Sequence, residues 1–307
     1  MNMTDALRLQ GLRGKLGAQE PMARHVSWRA GGAAARCYAP ADLDDLSAFL
    51  AQLPPAEPLL FVGLGSNLLV RDGGYPGTVV LTHAAARHAQ LIVGRVYADA
   101  GVASPKVARF AARQGFAGAE FLAGVPGTVG GALAMNAGCY GGETWDIVAR
   151  AVTIDRRGAV RTHAREEFDI GYRHCQLKGE CPIGTEVWFA GAWFDLRKGD
   201  ADVSRATIKE LLERRVASQP LSLPNAGSVF RNPPGDHAAR LIEFCGLKGL
   251  ERGGARVSEK HANFIVNPKG RAGAGDIEWL IEQVRGRVFE RTGIALVPEV
   301  RIVGERA

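Results

Sequence analysis

The chain has 307 residues, 46% hydrophobic and 23% charged, a composition that supports packed cores in two or three folding units and shows no collagen-like period. A net charge of +6 comes from scattered basic residues, with no run longer than the pairs Arg156-Arg157 and Arg214-Arg215. Without interleaved aromatics this argues for phosphorylated or carboxylated metabolites rather than nucleic acid, although a plain solvated basic surface explains it too.

Five cysteines (Cys37, Cys139, Cys175, Cys181 and Cys245) form no Cys-x-x-Cys pair. The start, "MNMTDALRLQ", lacks a signal-peptide core, and no apolar stretch approaches the ~20 residues of a membrane span. A cytoplasmic protein with reduced thiols and no membrane insertion is expected. His83 and His88 lack the companions of a metal site and read as surface histidines; no metal is expected.

In chain order, "ADLDDLSAFLAQL" aligns Leu43, Leu46, Leu50 and Leu53 at helical spacing. "LLFVG" and "GTVVLT" read as strands around the turn Gly63-Leu64-Gly65. A Rossmann turn would need a third glycine and a following helix, but Leu68 stands at that position and "NLLVRDGG" reads as strand and turn. Ser66 and Asn67 could still expose polar groups to an anion, and a ligand-free tight turn explains the same residues.

"LIVGRVYADAG" is β-rich, and "SPKVARFAARQG" predicts a helix with Ser104 as N-cap, Pro105 in its first turn and Gly115 at its end. A second glycine cluster, "GVPGTVGGALAMNAGCYGGE" (124–143), contains one charged side chain. A helix beginning near Thr128 would turn free N–H groups toward a pyrophosphate; a tightly packed turn and helix is the plain alternative. No Gly-Lys-Ser/Thr ending follows, which disfavours ATP chemistry.

"AVTIDRRGAVRTH" predicts a hairpin turning at Arg157-Gly158, and "VWFAGAWFDL" and "NFIVN" predict strands. Helices are expected over 204–219, 235–246 and about 276–292, the last presenting Ile277, Leu280, Ile281, Val284 and Val288 and stopping at Gly293. Strands and helices do not alternate strictly, so the expected class is α+β with mixed sheets, divided near residue 200.

"VGLGSNLLVRDGG", the 124–143 cluster, "GYRHCQLKG", "NAGSVFRNP" and "PEVRIVGE" follow one another as in the UDP-N-acetylenolpyruvoylglucosamine reductase family, which the chain resembles from about Trp28 to Glu305. The resemblance implies a vanillyl-alcohol oxidase type FAD-binding fold. Its two α+β subdomains would be 1–85 and 86–200, with 300–307 returning to the second, and 201–299 would form an α+β substrate domain. It implies non-covalent FAD, NADPH as hydride donor and a nucleotide-sugar substrate, in the second committed step of peptidoglycan precursor synthesis. A monomer is expected.

By resemblance Gly63, Gly65, Ser66, Asn67, Gly124, Pro126, Gly127, Gly130, Gly131 and Asn136 attend the flavin, with "SWRAGGAAA" (27–35) as a weaker flanking motif. Arg173, Ser228 and Glu299 are the catalytic candidates. Arg173 suits a bidentate carboxylate grip, and Ser228 would supply a proton. Glu299, starting the final expected strand, would assist carboxylate polarisation. Arg214, Arg231, Lys260, His261 and Asn263 are candidate contacts to the substrate diphosphate. Only residues 174–227 separate the arginine and serine motifs, which matches the shorter class without a tyrosine-bearing insertion. Another FAD-dependent oxidase of this fold, or a non-catalytic flavin-binding module, would keep the glycine clusters without needing Arg173, Ser228 and Glu299.

Overall fold

The computed structural model describes residues 10–85, 89–179 and 182–307, which leaves His88 and Cys181 outside the described residues. The described residues divide into two compact units: those within 10–18, 36–63 and 77–213 form the first, and 19–35, 64–76 and 214–307 the second. The expected boundary near 200 is replaced by one at 213/214, and two early segments join the C-terminal unit.

In the first unit, five antiparallel strands lie in the order Val160–Ala164, Val148–Asp155, Val187–Phe194, Arg95–Asp99, Ala89–Ile92. The expected hairpin turns at Gly158, where φ is +82°. Ser104–Arg113 and Val129–Ala134 pack Val107, Ala108, Ala111, Val129 and Leu133 into one core with Trp145, Phe168 and Phe189. A four-stranded sheet, most of whose residues fall in this unit, runs Lys15–Pro21, Ala33–Ala39, Tyr75–Leu81, Leu59–Val62; its last pair is parallel. Leu43–Ala51 is capped by the Asp42 carboxylate, which accepts the Asp45 N–H at 2.9 Å. Leu46, Phe49 and Leu50 of that helix join a smaller core in which Phe49 stacks on Tyr38.

The Ser104 expectation needs correction. Ala103 is the N-cap of Ser104–Arg113, and the Ser104 hydroxyl caps nothing.

The second unit gathers Trp28, Ala30 and Leu69 into a core with Val229, Phe230, Leu241, Ile265 and the apolar face of Ala274–Thr292. That helix buries all five apolar residues expected of it and ends at left-handed Gly293, whose N–H reaches the Phe289 carbonyl. Its first amides, on Ala274 and Gly275, each donate to the Asp72 carboxylate at 2.8 Å. The favourable placement of a carboxylate at a helix N-terminus thus accounts for Asp72 in "VRDGG". Arg71 pairs with Glu278 one turn further along. Trp28 donates its indole N–H to the Ile265 carbonyl at 2.7 Å.

The last strand, Arg301–Val303, pairs in parallel with Leu68–Val70. It therefore belongs to the second unit and does not return to the 86–200 segment as expected.

Candidate active site

The glycine loop of the first unit contains one misread feature. Val129–Ala134 is a six-residue helix, and its Val129 and Gly130 amides donate to the carbonyls of Val102 and Ala100 at 2.8 and 2.7 Å. Two of the amides expected to face a phosphate are therefore occupied. Gly130 is required by packing, because a Cβ there would stand 2.9 Å from the Ala100 Cβ. Gly124, which is buried, lies against Cys139 and Tyr140.

A set of polar groups nevertheless faces the ligand question. The amides of Gly127, Thr128 and Gly131 have no backbone acceptor among the described residues. A Cβ on Gly63 would collide with the Thr128 side chain, so the end of strand Leu59–Val62 abuts this loop. Ser104 donates its amide to the Gly127 carbonyl at 3.1 Å, while its fully buried hydroxyl has no protein partner. An orphaned buried hydroxyl beside unpaired amides fits an oxygen-rich ligand such as the diphosphate of FAD. Pro126 is exposed and Gly127 has φ +94° at the bend of this loop.

Asn136 does not face a ligand with its side chain. It is 1% exposed, its Nδ2 donates to Glu143 Oε2 at 2.7 Å and to the Gly171 carbonyl at 3.1 Å, and its Oδ1 accepts the Trp145 N–H at 3.1 Å. The carry-over of this amide to the flavin is thus corrected: it braces the protein. Gly171 ends the first strand of the hairpin Phe168–Gly171 and His174–Leu177, whose turn holds Arg173 at φ +53°. The Arg173 guanidinium lies 5.0 Å from the Tyr172 ring centroid, with Nη1 3.5 Å from the Asn136 carbonyl.

In the second unit, Gly65 has φ +59°, and a Cβ there would collide with the His25 carbonyl, so only glycine fits. Gly65, Ser66 and Asn67 present three successive amides without a backbone acceptor among the described residues, an anion nest. Asn67 also ties this turn to the catalytic candidates: its Nδ2 donates to the Glu299 carbonyl at 3.1 Å and its own carbonyl accepts the Arg301 amide at 3.0 Å. The flanking motif packs in the same unit, with Gly31 and Gly32 against Val70 and Asp72.

Ser228 and Glu299 are brought together by backbone. The Glu299 amide donates to the Val229 carbonyl at 2.7 Å, and the Arg231 amide to the Val297 carbonyl at 2.9 Å, around the antiparallel bridge Phe230–Pro298. Gly227, at φ +73°, turns the chain into this segment. Both Ser228 and Glu299 are half-buried. Glu299 precedes the last strand by two residues, slightly earlier than expected. Arg173 lies in the first unit.

The looser candidates divide. Asn263 is 3% exposed and clamps Phe230, accepting its amide at 3.0 Å and donating to its carbonyl at 2.8 Å. Its side chain is therefore structural, a correction to the expected diphosphate contact. Burial pushes the His261 ring below its ordinary pKa, so at neutral pH it brings no positive charge. Lys260 donates to the Val216 carbonyl at 2.6 Å. Arg214 is exposed near the end of the helix Ala201–Ser218. Arg231 has a buried Nε without a protein partner, so it remains a group that an anionic ligand would satisfy.

Sequence reasoning missed Thr128, Ser104 and Glu143 as participants. Glu143 had a visible signal, as the single charge in the second glycine cluster. Among the described residues no group of three metal-ligating side chains occurs, and no helix is long and apolar enough to cross a membrane.

Residues 34–163 match the FAD binding domain family, and 219–303 match the UDP-N-acetylenolpyruvoylglucosamine reductase, C-terminal domain family. The chain is 57% identical to UDP-N-acetylenolpyruvoylglucosamine reductase of Thiobacillus denitrificans, covering 96% of this chain and 94% of that one. It is 58% identical to the protein of that name from Alkalilimnicola ehrlichii, over 95% and 96% of the two chains. The crystal structure of the Thermus caldophilus UDP-N-acetylenolpyruvylglucosamine reductase superposes with TM-score 0.77 at 31% identity, over 95% of this chain and 99% of that one.

Proposed function

Because this chain belongs to the UDP-N-acetylenolpyruvoylglucosamine reductase family, we propose that Arg173, Ser228 and Glu299 carry its chemistry. The reaction reduces the enolpyruvyl ether of UDP-N-acetylglucosamine enolpyruvate to UDP-N-acetylmuramate. FAD, reduced at the expense of NADPH, supplies the hydride when bound. The α+β FAD-binding architecture is that of the family.

A hydride added to the terminal vinyl carbon leaves negative charge on the carbon bearing the carboxylate, and that charge spreads into the carboxylate. Arg173 grips the carboxylate with its planar, permanently charged guanidinium, which favours the more highly charged transition state. Ser228 gives its hydroxyl proton to the carbon bearing the carboxylate, completing addition across the double bond. Glu299 assists polarisation of the same carboxylate. The single observation carrying this reading is the Glu299–Val229 backbone bond, which supports Ser228 and Glu299 acting on one substrate from neighbouring chain segments.

In the first unit, amides and hydroxyls of the 127–131 loop and Ser104 would meet the diphosphate of FAD; in the second, the Gly65–Asn67 turn offers an anion nest of its own. Arg231 would meet a substrate anion through its unsatisfied Nε. The protein would work as a cytoplasmic monomer with non-covalent FAD, its product entering peptidoglycan and so serving cell shape and division. Acid denaturation should release the flavin colour into the supernatant.

The decisive experiment is Ser228→Ala, followed in stopped flow as two separate half-reactions. Bleaching of the flavin by NADPH should proceed at nearly the wild-type rate. Reoxidation by the enolpyruvyl nucleotide should slow by about 10²–10⁴-fold, the scale of a lost general acid. Unchanged reoxidation would mean that the proton comes from another group, and equal slowing of both halves would indicate a damaged flavin site.

A further inference from the structure

The hairpin that carries Arg173 is a two-stranded sheet by itself, Phe168–Gly171 against His174–Leu177. Its base is anchored, because Phe168, Cys175 and Leu177 are buried in the core with Trp145 and Phe189. Among the described residues its tip has no further strand beside it, Tyr172 is exposed, and Arg173 adopts a left-handed conformation. A two-stranded ribbon is marginally stable by itself, so the direction of a guanidinium at its tip depends on anchors from outside.

Asn136 meets that need from both sides of the turn. Its Nδ2 holds the Gly171 carbonyl at 3.1 Å, just before the turn, and its own carbonyl lies 3.5 Å from Arg173 Nη1. The amide is held in turn by Glu143 Oε2 at 2.7 Å and by the Trp145 N–H at 3.1 Å. Only one orientation of the amide satisfies all three partners, since two acceptors face Nδ2 and one donor faces Oδ1. Asn136 is itself left-handed, at φ +41°, which asparagine tolerates better than most residues.

We propose that Asn136, oriented by Glu143, is the positioning residue that aims Arg173 at the substrate carboxylate. The proposal rests on the reading of Arg173 as the carboxylate-binding group. Asn136 touches no reacting atom in this scheme; it narrows the angles that the guanidinium samples, an effect on orientation rather than charge.

The test uses the FAD-loaded enzyme with Asn136→Gly, which keeps the left-handed backbone, and Asn136→Asp, which keeps the shape but sets a carboxylate against Glu143 and the Gly171 carbonyl. In both, NADPH should reduce the flavin at close to the wild-type rate. Reoxidation by the enolpyruvyl nucleotide should slow by about 10²-fold, the cost of misplacing a catalytic group by roughly an ångström. Glu143→Leu, which removes the acceptor that orients the amide, should follow the Asn136 variants. Hydrogen exchange should show the amides of 168–177 losing protection in Asn136→Gly while the five-stranded sheet keeps its own.

A double-mutant cycle separates positioning from general damage. With Arg173→Ala already present, adding Asn136→Gly should slow reoxidation no further, because the group being aimed is gone. Equal slowing in both backgrounds, slowing of both half-reactions alike, or unchanged reoxidation in the Asn136 variants would each overturn the proposal. If Arg173→Ala itself leaves reoxidation intact, the assignment of Arg173 fails and this inference falls with it. If Arg173→Ala is slow while the Asn136 variants are not, only the positioning role is lost.

Discussion

The loop–hairpin region around Asn136 and the bridged segments around Asn263 use the same residue type in contrasting ways. Both amides are almost wholly buried and hydrogen-bonded through their oxygen and their nitrogen, and each braces a chain segment next to a catalytic candidate. Asn263 grips both backbone groups of Phe230, as a neighbouring strand would, in a segment already bonded to the Glu299 segment. Asn136 instead links a side-chain carboxylate, a loop amide and the end of an isolated hairpin. One catalytic candidate is therefore held by a backbone ladder and the other by a side-chain network. Ladders place short side chains firmly, whereas the long, flexible arginine needs its aim set separately.

The sharpest way to break this contrast is Arg173→Lys. If aim and planarity matter, keeping the charge is not enough, and reoxidation by the enolpyruvyl nucleotide should slow by about 10²–10³-fold, as when an oxyanion donor is removed. Flavin reduction should barely change. Near-normal turnover would make Arg173 a surface residue and erase one side of the comparison.

Asn263→Ala should sharpen the other side. It leaves the buried amide and carbonyl of Phe230 without their partner, at a cost of about 2–4 kcal/mol from two unmet groups. Urea denaturation should show that loss, and reoxidation should slow with it because the Ser228 segment loosens. A variant of unaltered stability would show that the surrounding ladder holds Phe230 without the clamp.

The smallest expected effect is on pH dependence in the second unit. The hydrogen bond from Arg71 holds the Glu278 carboxyl below the usual carboxylate range, with Arg306 adding to it against the opposing effect of burial. A depressed folded pKa means that the unfolded chain binds more protons, so this contribution is complete above the ordinary Glu value of about 4.3 and is lost as pH falls through the lower folded value. Urea midpoints taken from about pH 6 down to pH 3 should fall less steeply for Glu278→Gln than for wild type. Parallel curves would remove Glu278 from the acid response.

Much of this was legible in the residues. The apolar periodicity of Ala274–Thr292, the stop at Gly293 and the Arg157-Gly158 turn follow from local rules and stand as read. The five ordered motifs were specific enough to indicate the family from the chain alone. The differences share a cause: local reasoning on Ser104, Gly130, Asn136 and Asn263 rests on what their polar groups could do, whereas the fold decides which partners occupy them. A serine before a proline looks like a cap, and a glycine-rich helix start looks like a phosphate cradle. In the fold Ala103 holds the cap position, and the first helical amides meet the carbonyls of Val102 and Ala100.

The sequence by itself determined the local elements and the chemical inventory, since helix periodicity, turn glycines and a carboxylate-gripping arginine depend on neighbours a few residues away. Tertiary structure alone decided which polar groups remain available. Asn136 finds Gly171 thirty-five residues later, Asn263 finds Phe230 thirty-three earlier, and Asn67 finds Glu299 across 232. The same long-range packing sends residues 19–35 and 64–76 to the C-terminal unit and pairs Leu68–Val70 with the last strand. Each buried hydrogen-bonding group must find a partner wherever the folded chain supplies one, so that partner cannot be read from the residue's own neighbourhood.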